Sequence, residues 1–203
     1  RLENETLINR SGENYFFLTN EERDVNREVK NVDISGAEEA RLLGELIFED
    51  VLKGQRKHRY SRNKMDFTFN RICDMHPVGG RVEGGLIVSV ISPLADEYPL
   101  YNDGKGVLES NNEGGQILIR LQDNERLGRE LRTYAQTEKY LKTKSDSGLT
   151  DSAKRILRDN ADDNRERRTL LSCLLGDMLT EASWFAVGQE LKMKATAPGA
   201  CLS

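Results

Sequence analysis

Residues 53–64, KGQRKHRYSRNK, contain six lysines and arginines and no acidic residue. Clustered cations bind phosphate backbones because each contact releases condensed counterions, and an aromatic ring among them can stack on a base. A solvated loop that offsets the surrounding acidic surface is an alternative interpretation, and so is docking to an acidic partner. The candidate nucleic-acid-binding residues of this basic segment are Lys53, Arg56, Lys57, Arg59, Tyr60, Arg62 and Lys64.

Nucleotide-binding glycine motifs are not matched. A P-loop requires G-x-x-x-x-G-K-[ST], since its amides hold the phosphates and its hydroxyl binds the metal. The only Gly-Lys pair is Gly104-Lys105, and Gly106 follows where Ser or Thr is needed. The glycines at 79, 80, 84 and 85 do not fit G-x-G-x-x-G and favour a flexible loop. We therefore predict no catalytic residue and no cofactor in this segment.

The sequence contains no complete motif for metal binding or for acid–base catalysis. Cys73-x-x-His76 has the spacing of half a zinc site, but no second pair completes four ligands, so we predict no metal. Asp66, Asp74 and Glu83 could meet as a carboxylate pair at a sheet edge, although solvated carboxylates are the expectation. No G-x-S-x-G nucleophile elbow is present.

Composition indicates a polar globular chain with a formal net charge of −4. Three widely spaced cysteines make a disulfide framework improbable and favour a reducing compartment. No apolar run approaches the length of about 20 residues that a membrane helix needs. We predict a cytoplasmic protein without membrane contact.

The first half of the chain predicts alternating strands and helices. Residues 7–18 read as a β-hairpin around a polar, Gly-containing turn. Thr19 with Glu22, and Ser35 with Glu38, have capping-box spacing and open helices that run to about Asn31 and Leu52. Apolar runs predict three strands, which cover residues 67–73, 86–91 and 116–121. Long loops are expected between these strands, at residues 76–85 and 93–115.

The second half is predicted to be helical. Leu127, Leu131 and Tyr134 share one helix face, and a break at 145–148 precedes a long helix from Thr150 toward Val187. Mixed charges on this helix indicate an exposed, self-paired face. Residues 191–195 could form a last strand.

The predicted fold class is α+β: an N-terminal β-hairpin and two helices, a small, mainly antiparallel sheet, and a C-terminal long helical hairpin. The predicted divisions are 1–33, a hairpin plus helix; 34–123, an α/β region with Gly-rich loops; and 124–203, the helical hairpin and terminal strand.

Five strings carry a family resemblance: YFFLTNEERDVNREVKN, GELIFEDVL, RYSRNKMDFTFNRICD, EKYLK and WFAVGQEL. In this order they resemble the BrxC/PglY family, the large P-loop ATPase of BREX bacteriophage-defence systems. The resemblance implies a larger parent protein that binds ATP and Mg, with its ATPase module N-terminal to this segment. The absence of an initiator Met fits that expectation. Residues 7–18 would then correspond to the wing of a winged-helix element.

The resemblance also implies a role in blocking phage DNA replication, with other BREX components as partners and with DNA and a homo-oligomer as candidates. The family's nucleotide-binding lysine has no matching position here. Two hypotheses follow. One is a non-catalytic module for DNA engagement or complex assembly. The alternative is an enzyme domain, a nuclease or nucleotide-processing fold, with its site in the Gly-rich loops.

Overall fold

The computed structural model describes residues 8–11, 14–111, 115–144 and 149–192. The chain forms two compact units, each built from two segments. Unit 1 takes Arg1–Ile34 and Arg132–Arg168, and unit 2 takes Ser35–Leu131 and Thr169–Ser203. The predicted break at 145–148 and the last part of the predicted terminal strand lie outside the described residues.

Unit 1 begins with the predicted hairpin. Strands β1 (Ile8–Ser11) and β2 (Asn14–Phe17) pair antiparallel, and helix α1 (Asn20–Lys30) follows. The predicted capping box is present: Glu22 N donates to Thr19 Oγ1 at 3.3 Å, and Thr19 N donates to Glu22 Oε2 at 2.6 Å. Two of the free amides at the helix start are thereby satisfied. The comparison of this hairpin with a wing stays a prediction.

The rest of unit 1 comes from parts of two long helices, from Arg132 onward in α4 (Glu125–Thr143) and up to Arg168 in α5 (Asp151–Thr180). Buried Asn164 lies between them, and its Nδ2 is 3.4 Å from the carbonyl oxygen of Tyr134. Helix α4 is tied to α1 at Glu28, which accepts from Tyr140 Oη at 2.8 Å and pairs with Lys144 Nζ at 2.7 Å. These two donors, with Lys144 first, lower the pKa of Glu28.

Unit 2 is built around a mixed β-sheet. Helix α2 (Gly36–Glu45) starts at a second capping box, Ser35 with Glu38, as predicted, and runs into a π-helical segment, Leu46–Val51. The sheet has the strand order β3-β4-β6-β7-β8-β9, with β5 paired to β4. The strands are β3 (Lys57–Arg59), β4 (Asp66–Cys73), β5 (His76–Pro77), β6 (Leu86–Ile91), β7 (Gln116–Arg120), β8 (Ser183–Ala186) and β9 (Gln189–Leu191).

The predicted α+β class is confirmed, but the sheet is not mainly antiparallel. The central strands β4, β6 and β7 are parallel, and the antiparallel pairs involve β3, β5, β8 and β9. An apolar run shows that a strand is buried without showing its direction. The long connections between these strands allow the crossovers that parallel pairing requires.

The structure differs from the prediction in two segments, the end of the last helix and the loop 93–115. Helix α5 ends at Thr180 instead of continuing toward Val187, because Ser183–Ala186 pairs with the edge of β7. Val187 and Gly188, at φ 51° and 69°, make the tight turn into β9. The expected loop 93–115 contains helix α3 (Asp103–Ser110), which Asn102 caps by accepting from Lys105 N at 2.9 Å. Gly104 and Gly106 lower its helix propensity and hide it in the sequence.

Candidate nucleic-acid interface

The basic segment forms an edge hairpin of unit 2. Strand β3 pairs antiparallel with the start of β4, with Lys57 opposite Thr68 and Arg59 opposite Asp66. The tip closes by two backbone hydrogen bonds: Tyr60 N donates to Met65 O, and Lys64 N donates to Tyr60 O, both at 2.9 Å. The sequence predicted only a connector here. The structure gives it a fixed β-ribbon, which we call the basic hairpin, residues 53–68.

All seven predicted contact residues are exposed. Strand alternation places Lys57 and Arg59 on one face and His58 and Tyr60 on the other. The remaining cations lie before the strand or at the tip: Lys53, Arg56, Arg62 and Lys64. The hairpin thus carries cations along one face and around its tip, with an aromatic ring on the opposite face.

Two of the hairpin cations have acidic partners. Arg56 Nη2 lies 3.6 Å from Glu49 Oε1, and Lys57 Nζ lies 3.4 Å from Asp66 Oδ2. Exposed pairs of this kind contribute little to stability. Within the described part of the chain the other four cations have no acidic side chain at ion-pair distance; they are Lys53, Arg59, Arg62 and Lys64. The hairpin therefore presents unneutralised positive charge to solvent.

Sequence reasoning missed the buried cation next to this hairpin, Arg71 on β4. Its side chain is 3% exposed and its Nη1 lies 2.9 Å from Glu49 Oε1. The angle is not that of a hydrogen bond, so the contact is an ion pair. The guanidinium also lies 5.5 Å from the centre of the Phe48 ring. Strand alternation places Arg71 on the same face as Phe69 and Cys73, and this position was the available signal for a buried charge.

An apolar pocket of about 300 Å³ opens beside the hairpin on its aromatic face. Its base is buried, since Phe69 is 6% exposed and Val88 is 1% exposed. Tyr60, at 38% exposed, belongs to the lining and is the most accessible of its aromatic rings. The lining comes from the four strands β3, β4, β6 and β7 and from the hairpin tip: His58, Tyr60, Phe67, Phe69, Leu86, Val88 and Ile117.

The Gly-rich loop 76–85 borders a second cavity of about 710 Å³. Asn70 fixes the loop: its Oδ1 accepts from Val82 N at 2.7 Å, and its Nδ2 donates to Val82 O at 2.9 Å. The loop was expected to be without regular structure, yet it includes the short strand β5. The lining side chains are amide, guanidinium and aliphatic groups, which do not serve as general acids or bases near neutral pH. This cavity gives little support to the enzyme alternative.

The three carboxylates considered from the sequence have different environments. Asp66 and Glu83 are exposed, as expected for solvated groups. Asp74 is 7% exposed, so the solvated expectation is wrong for this residue. Its carboxylate accepts from Ser92 N at 2.7 Å and from Ser92 Oγ at 2.6 Å. Asp74 follows β4 at φ 45°, and its role in the structure is to join the ends of β4 and β6.

The possible half zinc site, Cys73 and His76, gains no further metal ligands among the described residues. Cys73 is fully buried, and burial raises the pKa of its thiol well above the ordinary value. His76 Nδ1 lies 2.7 Å from the backbone carbonyl oxygen of Asp74. Across the described ranges, no three His, Cys, Asp or Glu side chains are grouped to hold a metal ion.

We expect Asp74→Asn to flatten the pH dependence of stability. Burial, the main cause, raises the pKa of Asp74; Ser92 and His76 oppose the rise, and Glu97 adds to it. A raised pKa means that the folded state holds the proton to higher pH than the unfolded state. Wild-type stability therefore decreases as the pH rises from the ordinary carboxyl pKa through the raised one.

Asparagine keeps the shape of the side chain but does not titrate. The Asp74→Asn variant should therefore lose less stability than the wild type over the same pH interval. Urea unfolding of both proteins between about pH 4 and about pH 7 measures the difference. Identical pH profiles for wild type and Asp74→Asn would contradict the assignment.

Comparison with known proteins identifies one matching family. The model described as "BREX ATP-binding protein BrxC 4th domain with six-stranded beta sheet" matches residues 32–203. The description agrees with the six strands of the main path, β3-β4-β6-β7-β8-β9. No solved structure matches the chain. In the part of the chain that the structure describes, no helix is both long and apolar enough to cross a membrane.

Proposed function

Because this chain belongs to the BrxC fourth-domain family of BREX ATP-binding proteins, we propose that it is a non-catalytic module through which a phage-defence protein engages DNA. The basic hairpin is the contact surface in this proposal. ATP and Mg belong to the parent protein, and this module supplies binding rather than hydrolysis. Other BREX components are the expected partners.

The observation that carries the proposal is the set of cations on the basic hairpin that have no acidic partner within the residues the structure describes. Arg59, Arg62 and Lys64 lie within six residues of one another at the exposed edge of the sheet. Phosphate oxygens are the natural partners of such a group, because binding them releases counterions from the DNA. Arginine adds a planar fork that contacts two phosphate oxygens at once.

The backbone geometry supports the same function. The hairpin is a two-stranded ribbon held by its own hydrogen bonds, so its cations are positioned before DNA arrives. Pre-positioned groups lose less conformational entropy on binding than groups on a disordered loop. Lysine-rich and arginine-rich edge strands also resist unwanted strand pairing, which is the competing explanation for charge at this position.

Assembly with another BREX component is the second candidate function. Helix α3 and the segment before it expose two leucines, Leu100 at 62% and Leu108 at 74%. Leu108 borders a cavity of about 720 Å³ together with Ile72, Met75 and Tyr101. Exposed apolar groups around a concave surface are typical of protein contacts. This surface is separate in sequence from the basic hairpin, so both functions can coexist.

Arg59→Ala is expected to weaken DNA binding by about fivefold to tenfold near 0.1 M salt, because one phosphate contact and its counterion release are lost. Arg126→Ala is the matched control. Arg126 is exposed and follows β7 at the opposite end of the parallel strands from the basic hairpin. Fluorescence anisotropy with a labelled oligonucleotide measures both. The proposal fails if wild type does not bind, or if both variants lose affinity equally.

A further inference from the structure

We propose that the DNA held by the basic hairpin is single-stranded, with one unpaired base in the apolar pocket beside Tyr60. This inference rests on the proposed function and adds the form of the DNA. The pocket adjoins the hairpin and shares three residues with it, His58, Tyr60 and Phe67. A phosphate-binding surface and a base-sized apolar site therefore meet on one short ribbon.

The pocket has the chemistry of a site for a flat aromatic ring. Phe69 and Val88 close its base, and Phe67, Leu86 and Ile117 are half-buried around it. Its volume of about 300 Å³ is at the lower end of the range of small-ligand pockets. Apolar walls and aromatic rings favour stacking, which every base can provide, over sequence-specific hydrogen bonds.

The alternation of β3 separates the two kinds of contact. Lys57 and Arg59 point to the face opposite His58 and Tyr60. A single strand that crosses the hairpin edge can place its phosphates on the cationic face and tip while one base turns toward the pocket. The backbone of Tyr60 is held at both its amide and its carbonyl, so the point from which the ring extends is fixed.

Duplex DNA cannot use the pocket without breaking a base pair. Its bases are stacked inside the helix, and extruding one costs unstacking and unpairing energy. A single strand does not meet that cost. An apolar protein side chain is the other occupant that the pocket would accept, but the adjacent cations, which have no ion-pair partner among the described residues, complement phosphate: Arg59, Arg62 and Lys64.

The test compares single-stranded and blunt duplex oligonucleotides of one mixed sequence by fluorescence anisotropy. Wild type should bind the single strand about tenfold more tightly or better. Tyr60→Ala should lose about tenfold on the single strand and little on the duplex, while Tyr60→Phe should keep wild-type affinity, since the ring face is retained. Tyr60 lies at the exposed tip, so these changes should leave Trp184 fluorescence, a reporter of the fold, unchanged.

The outcomes separate the two claims. If wild type binds duplex and single strand equally, or if Tyr60→Ala behaves like wild type, the single-strand inference is wrong while the hairpin's role in DNA binding stands. If an apolar peptide competes for the pocket and the single strand does not, a protein occupant replaces DNA there. If wild type binds neither form of DNA, both claims are overturned.

Discussion

Replacing Phe185 with alanine is expected to lower the free energy of unfolding by about 3–5 kcal/mol. Phe185 on β8 is fully buried and packs in a cluster with Ile91, Tyr101 and Leu118. The cluster joins the sheet to the segment that carries α3. Deleting the ring removes its burial energy and leaves a cavity that rigid strands cannot close.

The partner of this ring is Gly106 on α3. A Cβ at position 106 would lie 2.8 Å from Phe185 Cδ2 and Cε2, which is closer than atoms pack. Gly106→Ala should therefore destabilise the wild type by about 1–2 kcal/mol, even though alanine gains about 1 kcal/mol of helix propensity. In the Phe185→Ala background the clash is gone, so the same change should stabilise the protein. The sign of the effect should reverse.

Urea unfolding of the four proteins of this double-mutant cycle measures the coupling. Trp184 is the only tryptophan in the sequence and is 2% exposed, so its fluorescence reports unfolding of unit 2. Leu108→Ala is the control on the same helix; because Leu108 is 74% exposed, its effect should stay within about 0.5 kcal/mol. Equal effects of Gly106→Ala in both backgrounds would contradict the packing described.

Neutralising the basic hairpin is expected to have the largest effect on binding. Four simultaneous changes to glutamine remove the charge, keep a polar side chain and leave the ion pairs of Arg56 and Lys57 intact. Affinity for DNA should fall at least about a hundredfold near 0.1 M salt, because each lost contact forfeits the release of nearly one counterion. The changed residues are the four without an ion-pair partner among the described residues: Lys53, Arg59, Arg62 and Lys64.

A second four-residue variant separates local contact from net charge. It removes the same number of cations from exposed positions elsewhere in the chain and should keep most of the wild-type affinity. Matching losses in the two variants would show that only overall charge matters. The control changes to glutamine are at Arg126, Arg155, Arg158 and Lys192.

Local features were predictable from the sequence. Both capping boxes, Thr19 with Glu22 and Ser35 with Glu38, are present, because their hydrogen bonds depend on residues three positions apart. Helical spacing placed Ala40, Leu43, Ile47 and Val51 on the inner face of the second predicted helix, and the first three are buried while Val51 is half-buried. Helical periodicity reports burial directly.

Features that depend on tertiary pairing were not predictable. The direction of β6 and β7 follows from crossover connections, and the early end of α5 follows from the pairing of β8 with β7. Asp74 is polar in type but buried, because its carboxylate accepts hydrogen bonds from Ser92, which follows β6 and is 18 positions away in sequence. The seven candidate contact residues were named from charge density and from the one aromatic ring among the cations, while the pocket beside Tyr60 required the fold, since β3, β4, β6 and β7 supply its walls.

The salt dependence of DNA binding tests the central claim most directly. The logarithm of the binding constant is measured against the logarithm of salt concentration for wild type and for the variant with glutamine at positions 53, 59, 62 and 64. Each phosphate contact contributes about 0.7 to 0.9 to the slope, so the variant should show a slope shallower by about 3. Parallel lines for the two proteins would contradict the assignment of the basic hairpin as the DNA contact.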